Sequence, residues 1–105
     1  PLSFAYDGMA LVMAQRAVEL SLDQALPIEQ RAFVYMPYMH SESSLIHELA
    51  VPLFSQPGLE NNLHFEYRHK EIIDRYGRYP HRNAILNRDS TTDELTFLES
   101  PGSSF

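Results

Sequence analysis

The chain has no cysteine and no tryptophan. The absence of cysteine removes disulfides, thiolate nucleophiles and thiolate metal sites together, so a metal here would depend on His, Asp or Glu ligands. No apolar run approaches the roughly 20 residues that span a bilayer. Pro1-Leu2-Ser3 also lacks the basic start and long apolar stretch of a secretory leader, and a cytoplasmic protein without a membrane partner is expected. Period-two alternation never persists and the β-branched residues are scattered, which argues against any sheet. There is no glycine-rich phosphate loop, no GxSxG nucleophile elbow, no dinucleotide fingerprint and no HExxH pair. No cofactor and no metal are expected.

What is present is an ordinary globular composition, 44% hydrophobic over 105 residues, enough for one domain over 1–105 with a modest core. The net charge of -6 argues against nucleic acid as a partner, because phosphate affinity rests on Lys and Arg. That average hides an asymmetry. From His64 to Arg88 six basic side chains face three acidic ones, a local charge of +3, while the rest of the chain carries two basic and eleven acidic residues, or -9. A positive island on an acidic protein suits a small anion or an acidic peptide better than a long polyanion.

Helical periodicity accounts for most of the chain. Met9, Met13, Ala17 and Leu20, with Leu11, Ala14, Val18 and Leu22 beside them, predict a long amphipathic helix from Phe4 to about Ala25, its apolar face buried and Arg16, Glu19 and Asp23 opposite. Pro27 suits a first helical turn, and Ile28 to Met36 predicts a second helix that Pro37 should end or kink. Ser41 to Ser44 offer caps for a third helix through Leu45, Leu49 and Leu53, with Pro52 bending its last turn. Leu59 to Tyr76 predicts a fourth, with Phe65, His69, Ile72 and Tyr76 on its apolar stripe and Gly77 as its stop. Tyr79 should be extended, because it precedes Pro80. Thr91-Thr92-Asp93-Glu94 reads as a capping box opening a short last helix, closed by Pro101-Gly102. The expected architecture is all-α, an antiparallel array of four to five helices. Residues 100–105 should form a flexible tail, with Phe105 docking on the body. No 34-residue self-similarity supports a repeat solenoid.

Chemistry concentrates in two places. Arg75-Tyr76-Gly77-Arg78-Tyr79-Pro80-His81-Arg82-Asn83 sets three arginines and a histidine at a helix end followed by a proline-stiffened turn. Arginine forks match carboxylate or phosphate, so Arg78, His81 and Arg82 are the expected anion contacts, with Arg75 and Asn83 beside them. The alternative is that these cations satisfy helix carbonyls and pair with Glu71, Asp74 or Asp89. His40-Ser41-Glu42 places a titratable pair at an element boundary. His69 lies on an apolar stripe, where a histidine usually packs inward and donates to a carbonyl. His40, Glu42, His69 and His81 together would form an acid/base group if they converged. His47, Glu48 and His64 read as surface residues, and the aromatic runs Phe33 to Met39 and Phe65 to Tyr67 as core.

The strings Met36-Pro37-Tyr38-Met39-His40-Ser41-Glu42 and His69-Lys70-Glu71-Ile72-Ile73-Asp74-Arg75-Tyr76-Gly77-Arg78-Tyr79-Pro80-His81-Arg82-Asn83, then Leu86-Asn87-Arg88 and Ser90-Thr91, closely resemble the bacterial family known as domain of unknown function 924. The resemblance extends over essentially the whole chain. It implies an all-helical, tetratricopeptide-like fold and brings no established activity with it. Members of that family carry additional residues, including a tryptophan-containing helical part, ahead of the point matching Pro1. The resemblance therefore implies that this chain is the C-terminal portion of a longer protein. The first helix would then find its partner in that N-terminal segment or in a second copy of the chain. Three functions follow as expectations: a binding module for a small anion or acidic partner at the Arg/His corner, a protein-interaction or structural domain, and a hydrolase or lyase with His40 or His81 as general base.

Overall fold

The computed structural model describes Phe4 and residues 6–103. Five α-helices and no strand occur among the described residues: α1 (Asp7–Glu19), α2 (Ile28–Met39), α3 (Ser44–Phe54), α4 (Glu60–Tyr76) and α5 (Thr92–Leu98), with single 3-10 turns at Leu22–Ala25 and Pro80–Arg82. Neighbouring helices run antiparallel. Arg31 at the start of α2 reaches Gln56 just beyond the end of α3 (2.8 Å). His47 in the first turn of α3 meets Glu66 along α4. Asp7 at the start of α1 lies 4.0 Å from the Arg82 guanidinium, which itself binds the His40 carbonyl at the end of α2.

Local chemistry sets the ends. The Ser43 side chain accepts from the Ile46 N–H and caps α3. Gly77, at φ 73°, takes the left-handed conformation that closes α4. Thr91 and Glu94 form the reciprocal capping box that opens α5. The expected first helix divides. It stops at Glu19, Ser21 turns the chain at φ 58°, and the second part becomes a 3-10 turn. The reason lies in Asp23, which faces inward rather than toward solvent and accepts the Tyr35 hydroxyl at 2.5 Å. A straight helix would carry its carboxylate elsewhere. Pro37 does not end α2, which continues to Met39. Proline removes the donor that the carbonyl four residues earlier would use, and that residue, Phe33, is exposed, so the loss falls on the solvent side of the helix.

The main core gathers Ala14, Ala32, Tyr35, Tyr38, Met39, Ala50 and Phe54 from the first three helices and Leu59 just before α4. A second, smaller one joins Ile72, Ile73 and Tyr79, with Tyr76 and Phe97 against it. Two expected stripes are displaced. α3 buries His47, Ala50 and Phe54 and leaves Leu45 and Leu49 exposed, and α4 buries Glu66, His69, Ile72 and Ile73 while Phe65 faces out. On α1 the packed side is Leu11, Ala14 and Val18, whereas Met9, Met13 and Leu20 are open to solvent. At the end of the described chain Ser103 is buried and its hydroxyl donates to the Leu98 carbonyl at 3.1 Å. Phe105, expected to dock, lies outside the described residues.

Gly77→Ala is expected to destabilise by about 1 kcal/mol, because an L side chain is strained at positive φ. Gly8→Ala, in the first turn of α1 with open space around the added methyl, should be neutral or stabilising by up to about 1 kcal/mol. Urea unfolding of the two variants checks the contrast.

Candidate functional site

Gly77 reverses the chain after α4, and Pro80 holds Tyr79 extended at φ -92° and ψ 107°. Tyr79 is thereby carried across the ends of α2 and α3 and is completely buried. Its N–H donates to Glu42 at 2.6 Å, its hydroxyl to the Met39 carbonyl at 2.5 Å, and its carbonyl accepts from Arg88 at 3.2 Å. Arg88 also forks onto both Glu42 oxygens (3.0 and 3.1 Å) and donates to Asn83 (3.0 Å), whose amide reaches Ser90. Burial would raise the Glu42 pKa, but Arg88 and the Tyr79 N–H outweigh it and hold the carboxyl below its usual range.

Four histidines gather around this tyrosine. His47 and His69 meet its ring edge-on at 6.3 and 5.6 Å, His81 lies tilted at 5.7 Å, and His40 stands 6.3 Å from His69. Burial lowers the pKa of His40, His81 and His69, the last to about 4, so these three rings are neutral at pH 7. His69 packs inward as expected, and its Nδ1–H donates to the Phe65 carbonyl at 2.7 Å. Among the described residues no group of three or more His, Asp or Glu side chains is arranged to hold a metal.

His47 is fully buried, as is Glu66, contrary to the surface position expected for His47. Its Nε2 lies 2.6 Å from the Ser41 carbonyl and 3.0 Å from the Tyr79 hydroxyl, whose own proton is committed to Met39. A carbonyl only accepts, so Nε2 carries a proton. Nδ1 faces both Glu66 oxygens, at 2.8 and 3.1 Å, and one further proton is shared across that contact. Burial raises the Glu66 pKa in the same sense. The signal for this pair was present as the matching spacing His47, Ala50, Phe54 and Glu66, His69, Ile73, but leucines at competing positions outweighed it.

The expected anion residues do not all converge. His40, Glu42 and Arg82 line a cleft of about 420 Å³ between α1, the end of α2 and the Pro80–Arg82 turn, together with Asp7 and apolar walls that include Leu11, Phe33, Met36 and Leu86. Arg82 is 9% exposed and lies between the rings of Phe4 (4.4 Å) and Tyr79 (4.7 Å). His69 and His81 pack on Tyr79. Arg78 is on another side, where its guanidinium forks onto Glu94 (2.8 and 2.7 Å) and reaches the Asp89 carbonyl (2.7 Å). Arg75 is exposed over the Tyr76 ring, and Asn83 serves Arg88 and Ser90. The Arg78 pairing holds the Glu94 pKa down at about 2, aided by the Thr91 N–H against burial.

The chain belongs to the family described as bacterial protein of unknown function (DUF924), which it matches over residues 1–102. Among solved structures it is similar to a protein of unknown function from Agrobacterium tumefaciens, at 38% identity and a TM-score of 0.85, over 91% of this chain and 54% of that one. The chain thus spans about half the length of that relative. No curated protein matches it.

Two outcomes follow from this geometry. Glu66→Ala should cost about 3–5 kcal/mol in chemical denaturation by leaving His47 buried without its partner, and replacing both residues by leucine should cost less than that single change. Folding lowers the Glu94 pKa from 4.5 to about 2. Its contribution is therefore complete above pH 4.5 and lost as the pH falls through about 2. Arg78→Met should flatten that part of the acid-unfolding profile.

Proposed function

We propose that this family member is a binding module for a small organic carboxylate, held in the cleft between α1 and α2 with Arg82 as its cation. The observation that carries this reading is the incomplete satisfaction of Arg82. Its Nη2 donates to the His40 carbonyl at 3.0 Å, its Nη1 lies 4.0 Å from Asp7, beyond hydrogen-bond length, and its buried Nε has no partner among the described residues. A buried guanidinium with unfilled donors is costly, and a carboxylate entering the cleft would give Nη1 the close acceptor that Asp7 does not. The apolar walls suit a hydrocarbon portion of the ligand. Asp7 and Glu42 on the same cleft disfavour a multiply charged anion, which selects a monocarboxylate over phosphate. Neutral His40 would add a hydrogen-bond donor rather than a second charge.

General-base catalysis at His40 is less well supported, because no carboxylate hydrogen-bonds its ring among the described residues and Glu42 is committed to Arg88 and Tyr79. The test is thermal unfolding with hexanoate, benzoate, acetate, phosphate and sulfate. A ligand at ten times its dissociation constant stabilises by about 1.4 kcal/mol, which raises the midpoint by about 4 °C or more. Hexanoate or benzoate is expected to do this at millimolar concentration, phosphate and sulfate are not, and Arg82→Gln should abolish the shift. Equal shifts with all five anions, or none with the carboxylates, would defeat the reading.

A further inference from the structure

α1 is apolar on more than one side. Leu11, Ala14 and Val18 pack on the core, yet Met9, Val12, Met13 and Leu20 are between 51% and 66% exposed. Tyr6 and Leu22 are likewise exposed beyond the two ends of the helix. Met9, Val12, Met13 and Leu20 fall at helical spacing along one side, so the exposed surface is a ridge rather than scattered points. Such a ridge fits a second helix lying along it, side chains of one entering grooves of the other. Exposed apolar side chains gathered on one side of a helix in this way mark an interface.

The Agrobacterium relative is the longer protein. The relative matches nearly all of this fold yet has close to half its own length outside the match. We propose that the outer face of α1 is the docking surface for an amphipathic helical segment belonging to the part of such longer relatives that this chain does not match. The segment presents a stripe of large apolar side chains to Met9, Val12, Met13 and Leu20. Arg16, paired with Glu19 at 3.1 Å, lies within the same stripe between Met13 and Leu20, so the segment needs a polar acceptor opposite it. This surface is distinct from the Arg82 cleft, whose charged groups it does not use.

Sedimentation equilibrium of this chain, alone and with the unmatched portion of the Agrobacterium protein added as a separate polypeptide, tests the proposal. The expected result is a monomer that becomes a one-to-one complex. Val12→Glu with Met13→Glu should weaken that complex at least tenfold while leaving the chain's own thermal midpoint within about 2 °C, because both side chains are already exposed. A dimer of this chain alone that the same substitutions dissociate would show that a second copy is the occupant and overturn the proposal. So would a complex indifferent to them, or no complex. A second measurement needs no separate polypeptide. In the intact Agrobacterium protein, glutamate at the position aligned with Met13 should lower the thermal midpoint by several degrees, and an unchanged midpoint would also overturn the proposal.

Discussion

The arrangement depends on how Tyr79 is held. A glycine cap, an extended tyrosine and a proline turn the chain back after α4, and all three polar groups of Tyr79 then bind elements distant in sequence: Glu42, the Met39 carbonyl and Arg88. A buried tyrosine with its backbone also out of water is tolerable because each donor and acceptor has a partner. Once it is in place, the histidine rings have an apolar surface to pack on, Arg82 has one of its two stacking faces, and Glu42 has the charge partner that makes its burial tolerable. The corner is thus a consequence of one residue's hydrogen bonds more than of a collection of charges.

The elements were legible in the sequence where end signals and periodicity agreed. The Gly77 stop, the Thr91–Glu94 box and the absence of strand pattern all correspond to what the described residues do. The faces were less legible. Polar side chains that bury themselves through partners far along the chain, such as Asp23 with Tyr35 and His47 with Glu66, look like solvent positions when read locally. The His47–Glu66 pair displaces the leucine stripe of α3 and the phenylalanine of α4 by one or two positions. Hydrophobic periodicity weighs residues singly, whereas a buried charge is a property of a pair.

The candidate site shows the same division. His40, Glu42 and Arg82 share the cleft. The charge island is less open than its sequence suggests, because three of its six cations are closely paired: Arg78 with Glu94 and Arg88 with Glu42 from outside the window, and Lys70 with Asp74 within it. Local net charge counts residues along the chain, and the field at a surface depends on what folding brings beside them.

Glu94 carries two tasks at once, closing the capping box of α5 and receiving the Arg78 fork. Seven residues are too few for a helix to persist by itself in water. The carboxylate that starts the helix is therefore the same one that fastens it to the body. Winding and docking become a single event, and the last helix acts as a latch, either wound and fastened or unwound and released, without a stable halfway position.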